Sequence, residues 1–215
     1  MEPLFITLEG LDGSGKSTQL RHICSWLEER SIAYRVTQEP GGTPLGESIR
    51  SVFLQEKWDA VDGIVEALLI FASRRQHLLQ VIDPALAAGQ QVICDRFTDS
   101  TLAYQGYGRG VSLPAIRRVD ELATDSRRPD HTLLFDLPAE LARKRGHSAD
   151  RRIEPGGVDR LDAEDLSFYE RVRAGFLELA QAQPQRFYVI DSSGSIEEIR
   201  SRVVTILDEL YGETG

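Results

Sequence analysis

The fold is decided by the stretch Gly10-Leu11-Asp12-Gly13-Ser14-Gly15-Lys16-Ser17, which matches the pattern G-x-x-x-x-G-K-[ST]. A short apolar run, residues 4–8, precedes it, and a helical pattern begins at Lys16. Glycines let the backbone curl so that successive N–H groups point inward at an anion, and the N-terminal end of the following helix adds positive charge. The stretch therefore predicts a loop that cradles the phosphates of a nucleoside triphosphate.

Two side chains of this loop carry the chemistry that phosphates need. Lys16 places a point charge near the β and γ phosphates, and Ser17 offers a hydroxyl to Mg²⁺. The residues that we predict to bind the triphosphate, expected to be ATP, are Gly10, Leu11, Asp12, Gly13, Ser14, Gly15, Lys16, Ser17, Thr18 and, further along the chain, Arg145. The loop alone indicates triphosphate binding and does not identify the reaction.

The rest of the chain alternates between strand and helix patterns. Apolar runs typical of buried parallel strands recur at 4–8, 33–37, 91–94, 131–135 and 186–190. Helical patterns span 16–29, 44–55, 61–88, 113–124, 138–145, 163–182 and 196–211. This alternation predicts an α/β fold, a doubly wound sheet flanked by helices.

The organisation of the chain predicts one domain with a lid. The 215 residues contain no internal repeat and no low-complexity linker, so we expect a single domain over residues 1–215. The segment 146–158 fits neither period, is polar and basic, and contains Pro155-Gly156-Gly157. Because it has the character of a mobile loop, we predict an active-site lid at about residues 146–160.

Composition excludes several classes of protein. The formal net charge of −9 argues against a protein that coats nucleic acid, because such binding needs a basic surface. The chain has no apolar run long enough for a membrane span, and residues 1–10 lack the basic flank and apolar stretch of a signal peptide. The two cysteines cannot form a disulfide framework. We therefore expect a cytoplasmic protein that binds neither nucleic acid nor membrane.

A second group of polar residues follows the third predicted strand. Asp95 and Arg96 lie at the carboxyl edge of the sheet, where open α/β folds place ligands. An aspartate there can hold Mg²⁺ through water, and an arginine can bridge the donor and acceptor phosphates. The alternative is a helix N-terminal aspartate paired with a surface arginine. Arg50, on the helical pattern after residues 39–43, comes towards the same edge, although a lone helical arginine is more often solvated.

Two helical patterns place further candidates on single faces. Phe71 and Arg74 are three residues apart, as an aromatic stacker and a donor to a base carbonyl need to be, although an aromatic in such a pattern is more often core. Thr101, Tyr104 and Gln105 share a face if residues 100–105 are helical. Gln105 offers both a donor and an acceptor, which suits the edge of a base.

Several segments together match a known family in order. They are EGLDGSGKST at 9–18, EPGGT at 39–43, FASRRQHL at 71–78, CDRFTDSTLAYQGYGRG at 94–110 and DRLDAEDLSFYERV at 159–172. On these segments the chain resembles bacterial thymidylate kinases along nearly its whole length. The resemblance implies a five-stranded parallel sheet in a nucleoside-monophosphate-kinase arrangement, a homodimer, and Mg²⁺-dependent transfer of the γ-phosphate of ATP to dTMP, giving dTDP.

The resemblance also implies roles for individual residues in binding dTMP. The residues expected to meet thymine are Arg74, Phe71, Thr101 and Gln105. Those expected at the deoxyribose are Asp12 and Tyr104, and those expected at the dTMP phosphate are Arg50 and Arg96. Glu39 and Asp95 are expected beside the metal and the sugar, with Ser17 and Asp95 as the residues that hold Mg²⁺. Arg160 completes the predicted substrate-binding set.

The sequence departs from the family pattern at positions close to the predicted site. Gln38 stands where the family usually has an arginine, so no phosphate contact is predicted there. Ile70 occupies the usual place of the stacking aromatic, four residues before Arg74. Either Ile70 or Phe71 therefore lines the base, and Arg75 is a minor alternative to Arg74.

The phosphate loop itself holds no arginine at positions 11–14 to stabilise the γ-phosphate, so the lid must supply one. The residues that we predict to be catalytic are Lys16, Asp95, Arg96, Arg151 and Arg152, with Arg145 and Arg160 beside the lid. A run of surface arginines is ordinarily a solvated face, and only the loop at 10–17 argues otherwise.

Two other functions are compatible with a triphosphate-binding loop. One is a kinase that acts on another nucleoside monophosphate or on a deoxynucleoside. The other is a nucleotide-dependent switch or motor, which would need a partner-dependent ATPase activity and a hydrophobic partner surface. The order of the five matching segments favours the thymidylate kinase interpretation over both.

Replacing Arg151 and Arg152 together by alanine is expected to lower kcat by roughly a hundredfold or more, while the KM for dTMP changes little. A transferring phosphoryl group needs a cation at its equatorial oxygens, and a contact made only in the transition state affects kcat alone. Steady-state kinetics with ATP and dTMP measure both parameters. An unchanged kcat would mean that the pair is solvated and that Arg145 or Arg160 supplies the cation.

Overall fold

The computed structural model describes residues 2–54, 61–146 and 164–212. Its centre is a sheet of five parallel strands in the order β2-β3-β1-β4-β5. The strands are β1 (Phe5–Glu9), β2 (Tyr34–Gln38), β3 (Gln91–Asp95), β4 (His131–Asp136) and β5 (Phe187–Asp191). The predicted α/β fold with a five-stranded parallel sheet is confirmed, and each strand begins within one residue of its predicted position.

Helices cover both faces of the sheet. They are α1 (Lys16–Glu29), α2 (Pro44–Leu54), α3 (Gly63–His77), α4 (Asp83–Ala87), α5 (Thr98–Thr101), α6 (Leu113–Thr124), α7 (Ala139–Gly146), α8 (Leu166–Ala182) and α9 (Ile196–Tyr211). Side chains of β1 alternate between the faces, since Ile6 packs in one core cluster with Ile23 and Ile199, and Phe5 in another with Leu78. Among the described residues, no helix is long and apolar enough to span a membrane.

The carboxyl ends of β1, β2 and β3 meet at one edge of the sheet. Leu8 of β1 and Gln38 of β2 both lie opposite Asp95 of β3. The backbone N–H of Glu39 donates to the carbonyl of Asp95 at 3.1 Å, which ties the turn after β2 to the end of β3. Because β1 lies where the strand order changes direction, this edge is the place where open α/β sheets bind ligands.

Two predicted helices differ from the structure in their winding. The pattern at 61–88 is not one helix, since α3 begins at Gly63 and the chain widens into a π-helical turn at Leu78–Ile82 before α4. Pro84 lies at the start of α4. Proline lacks the N–H that regular α-helical winding would use there, and the wider turn accommodates it. Residues 100–105 are α-helical only in part, because the winding after α5 continues as a π-helix at Leu102–Gly108.

A buried ion pair behind the sheet edge fixes the start of α5. Arg186 donates to both carboxylate oxygens of Asp99, at 2.8 and 2.9 Å, and to Thr132 Oγ1 at 2.6 Å. All three residues are buried. The pair therefore holds the segment that contains residues 96–105 against β4 and the chain entering β5.

Candidate active site

The phosphate loop connects β1 to α1, and glycine is required at two of its positions. Gly10 has a φ of 134° and Gly13 a φ of 81°, in the region that glycine adopts readily. A Cβ atom on Gly10 would lie 2.4 Å from the carbonyl oxygen of Phe135, and one on Gly13 would lie 2.4 Å from that of Ala142. Any larger residue would therefore push the loop away from β4 and α7.

Lys16 is the first residue of α1, near the end of this loop. Its ammonium donates to the carbonyl oxygens of Gly10, at 3.2 Å, and Leu11, at 3.1 Å, and only 6% of the residue is exposed. Burial and the positive charge of Arg96 lower the pKa of Lys16 to about 8, against the opposing effect of Asp95 and other nearby carboxylates. A bound polyphosphate would favour the charged form, because it brings negative charge to the ammonium.

Arg96 joins the phosphate loop to the segment after β3. Its backbone has a φ of 66°, a left-handed conformation uncommon for a residue other than glycine. Its guanidinium donates to Gly10 O at 2.9 Å, to Asp12 Oδ1 at 2.8 Å, to Ser100 Oγ at 3.0 Å and to Tyr104 OH at 3.3 Å. These bonds hold the guanidinium between the loop and α5.

Glu9 is a buried carboxylate that the sequence did not reveal as part of the site. It accepts hydrogen bonds from the backbone N–H of Phe97 at 2.6 Å and from Ser100 Oγ at 2.5 Å. Burial raises its pKa to about 8, and the negative charge of Asp99 adds to the rise. The signal available in the sequence was a charged residue at the end of a strand that is otherwise apolar apart from one threonine.

Glu39 organises a second buried cluster at the same edge. Arg74 Nε donates to Glu39 Oε2 at 2.6 Å, and His77 Nδ1 lies 2.9 Å from Glu39 Oε1. His77 Nε2 in turn lies 2.5 Å from Thr37 Oγ1. These residues are all buried, so the carboxylate and the guanidinium neutralise each other away from solvent.

The guanidinium of Arg74 is held in one orientation. Besides Glu39, it donates to Thr101 Oγ1 at 3.1 Å and to Thr98 Oγ1 at 3.4 Å. Its central carbon lies 4.9 Å from the ring centroid of Phe71 and 4.7 Å from that of Phe97. The side chain is 1% exposed, yet it lines a cavity at the carboxyl edge.

That cavity brings together most of the residues predicted to bind the acceptor. Those on its wall are Asp12, Glu39, Arg50, Arg74, Arg96, Thr101, Tyr104 and Gln105. Ile70 is on the wall too, whereas Phe71 is 2% exposed in the core and contacts Arg74. Of the two alternatives left open by the sequence, Ile70 therefore faces the cavity. Arg75 points elsewhere, since it pairs with Asp125 at 2.5 Å.

A second cavity contains the phosphate loop. The predicted triphosphate-binding residues on its wall are Asp12, Gly13, Gly15, Lys16, Ser17, Thr18 and Arg145. Arg145 also donates to the carbonyl oxygen of Ser192 at 3.0 Å, which places it at the rim beside the chain after β5. The predicted lid at about residues 146–160, with Arg151 and Arg152, lies outside the described residues apart from Gly146, and so does Arg160.

The two cavities meet along a shared wall. Asp12, Glu39, Arg50 and Arg96 line both of them. Arg50 is fixed there by a hydrogen bond from its guanidinium to Pro40 O at 3.0 Å. Two guanidinium groups therefore stand where an anion in one cavity would face an anion in the other.

Oxygen atoms suited to a divalent cation lie in the second cavity. Asp95 Oδ1 is buried and, among the described residues, has no hydrogen-bond partner. The hydroxyl of Ser17 lines the same cavity. Mg²⁺ prefers oxygen ligands and is usually held by one or two protein groups together with substrate phosphates, so this pair fits it.

Comparison with known proteins identifies the family. The family model described as thymidylate kinase matches residues 8–203. The chain belongs to the thymidylate kinase family. Among curated members, it is 47% identical over 206 residues to thymidylate kinase from Chromobacterium violaceum, covering 96% of this chain and 94% of that protein. It is 42% identical over 208 residues to the one from Desulfosudis oleivorans, covering 96% and 97%.

A solved member of the thymidylate kinase family has a similar structure. The crystal structure of thymidylate kinase from Ehrlichia chaffeensis matches with a TM-score of 0.74 and 34% identity, covering 96% of this chain and 99% of that one. The predicted nucleoside-monophosphate-kinase arrangement of the sheet is therefore confirmed.

The affinity for ATP is expected to fall as the pH rises through about 8. The pKa of Lys16 is lowered to about 8 in the free protein, and phosphates bind its protonated form. Above that pH, Lys16 has to take up a proton when ATP binds, and this uptake costs free energy. Calorimetric titration near pH 8, in two buffers of different ionisation enthalpy, measures this uptake.

The matched variant for this measurement is Lys16→Met, which lacks the titrating ammonium. It should bind ATP more weakly and without the proton uptake assigned to Lys16. If the uptake persisted in the variant, it would belong to another group, of which Glu9 is the first candidate because its pKa is also about 8.

Proposed function

We propose that this protein transfers the γ-phosphate of ATP to dTMP, giving dTDP, with Mg²⁺ as the metal ion. The observation that carries the proposal is that two cavities share a wall at Arg50 and Arg96. One cavity contains the phosphate loop, and the other is lined by polar and apolar side chains that suit a nucleotide base. Membership of the thymidylate kinase family supports the choice of ATP and dTMP.

On the donor side, the phosphate loop binds the triphosphate. Its backbone N–H groups and the ammonium of Lys16 hold the β and γ phosphates. Ser17 and Asp95 are the residues that would hold Mg²⁺, which supplies positive charge to the phosphate oxygens. Little covalent chemistry is left to the protein, so its task is to align the two phosphates and to place cations around the moving group.

On the acceptor side, the wall of the first cavity divides into three parts. Arg50 and Arg96 hold the dTMP phosphate next to the γ-phosphate, and Arg96 stays close through the phosphoryl transfer. Asp12 accepts from the 3′-hydroxyl of the deoxyribose, and Tyr104 crowds its 2′ position. Arg74, with Thr101 and Gln105, meets the polar edge of the base.

A homodimer is part of the proposal, and an exposed apolar surface supports it. Ile64, Val65 and Leu68 on α3 are each about half exposed, as are Leu45 on α2 and Leu79 after α3. Large apolar side chains exposed on two helices that pack together offer an interaction surface. A second copy of the chain can cover it symmetrically, because each copy offers the same patch.

The single domain, the lid with Arg145, Arg151, Arg152 and Arg160, and the cytoplasmic location remain predictions. The lid arginines would add the cation that the phosphate loop lacks and would exclude water, which competes with the acceptor phosphate.

A panel of acceptors with ATP and Mg²⁺ tests the proposed reaction. We expect dTMP to be the best substrate, dUMP to be weaker, and dGMP and thymidine to be very poor. The wall presents donors for a base carbonyl in a space bounded by Ile70 and Phe53, and Arg50 and Arg96 need a phosphate to bind. A coupled assay of ADP formation measures each rate. Equal phosphorylation of dGMP and dTMP would contradict the assignment of the base.

The change Leu68→Glu is expected to turn the dimer into a monomer, because it places a charge in the apolar surface that the second copy covers. Light scattering after size exclusion measures the mass. Ile196→Glu is the matched control, since Ile196 on α9 is exposed to a similar degree on a different side of the fold. A wild-type protein that already runs as a monomer would contradict the proposed dimer.

A further inference from the structure

Glu66 is a buried carboxylate that the proposed reaction does not use. It lies in the first turn of α3 with none of its surface exposed, and it is not on the wall of the base cavity. Its Oε2 accepts a hydrogen bond from Gln105 Nε2 at 2.8 Å. Its Oε1 lies 3.2 Å from Arg109 Nε, and Arg109 also pairs with Glu164 at 2.5 Å. In this ion pair both carboxylate oxygens of Glu66 act as acceptors.

This contact decides which end of the Gln105 amide faces the cavity. An amide side chain can ordinarily turn over, because its oxygen and nitrogen are nearly the same size. Next to a buried carboxylate it cannot, since turning would place the amide oxygen against Glu66 Oε2 without a proton between them. The NH₂ group is therefore committed to Glu66, and the carbonyl oxygen is the atom that Gln105 offers to a base.

The wall of the cavity thus includes the donors of Arg74 and the acceptor oxygen of Gln105. Arg74 has donors only, and its orientation is fixed by Glu39 and Thr101. Thymine and uracil offer a carbonyl at C4 beside an N–H at N3, which match the Arg74 donors and the Gln105 oxygen. Cytosine offers an amino group at C4 beside an N3 that carries no hydrogen. The donors of Arg74 would therefore face a donor, and the Gln105 oxygen would face an acceptor.

We propose that Glu66 is a positioning residue that selects thymine over cytosine by fixing the orientation of the Gln105 amide. The inference rests on the proposed function and adds a determinant of its specificity. It predicts that discrimination against cytosine depends on a side chain that does not touch the base, and that discrimination between thymine and uracil does not depend on it.

The variant Glu66→Gln tests this directly. The amide that it places at position 66 can accept or donate, so the amide of Gln105 becomes free to turn its NH₂ towards the base. We expect the ratio of kcat/KM for dTMP to that for dCMP to fall by about tenfold or more. The reason is that the Gln105 amide can then donate to N3 of cytosine, so this buried group keeps a hydrogen-bond partner when cytosine binds. The ratio of dTMP to dUMP should stay unchanged, whereas a general structural defect would not discriminate between the two ratios in this way.

The control is Glu164→Gln, which removes the other carboxylate from Arg109 and leaves Gln105 bonded to Glu66. Both ratios should stay at their wild-type values in this variant. If Glu164→Gln lowered the dTMP to dCMP ratio as much as Glu66→Gln does, the effect would come from Arg109, and the role of Glu66 as the positioning residue would be refuted.

The exchange of the two side chains, Glu66→Gln together with Gln105→Glu, is the second variant. It keeps the total charge of the pair. The amide at position 66 now donates to the carboxylate at position 105, whose other oxygen still offers an acceptor to N3–H. We expect the exchange to recover the preference for dTMP over dCMP even if Glu66→Gln alone fails to fold. A folded exchange variant without that preference, or a Glu66→Gln variant with the wild-type ratio, would overturn the inference.

Failure of the inference and failure of the proposed function have different signatures. A wild-type protein that does not phosphorylate dTMP contradicts the function before any variant is made. A wild-type protein that prefers dTMP, together with variants that leave the dTMP to dCMP ratio unmoved, contradicts the inference alone.

Discussion

The guanidinium of Arg96 is the interaction on which the rest of the site depends. It reaches the phosphate loop through Gly10 and Asp12, and the segment after β3 through Ser100 and Tyr104. Arg96 and Gly10 are 86 residues apart along the chain, and only the parallel pairing of β1 with β3 brings them together. The left-handed backbone at Arg96 directs the side chain back over the edge of β1.

Buried carboxylates around Arg96 set the positions of the remaining groups. Glu9 holds Phe97 and Ser100, Glu39 holds Arg74, Glu66 holds Gln105, and Asp99 holds Arg186. Glu9, Glu39 and Glu66 each hold a residue on the cavity wall, whereas Asp99 and Arg186 hold the start of α5 against β4. Glu39 and Asp99 each pair with a buried arginine, which offsets the cost of burying those guanidinium groups. Glu9, whose pKa is raised to about 8, acts through its hydrogen bonds instead.

The sequence predicted what is encoded locally. The phosphate loop is a continuous motif, and the strands follow from short apolar runs, so both were placed to within a residue. The π-helical turn at Leu78–Ile82 was not, because its hydrophobic pattern continues that of α3. Glu9 and Glu66 were missed, since their partners lie 88 and 39 residues away and only the folded chain reveals them. Ile70 and Phe71 could be separated only by the packing of α3.

Because Leu102–Gly108 form a π-helix, the arrangement of side chains at the base cavity depends on how many residues this segment contains. With this wider winding, Tyr104 and Gln105 line the cavity. Gly106 lies close to the side chain of Leu113, and Gly108 lies close to that of Phe168. A π-turn can be viewed as an α-helix with one residue inserted. Deleting one residue between Gln105 and Arg109 would restore α-helical winding and rotate Arg109 by about 100° relative to Gln105. Gln105 and Arg109 could then no longer both contact Glu66. A change in the length of this segment would therefore disrupt the polar contacts at the base cavity, even if every contacting side chain were retained.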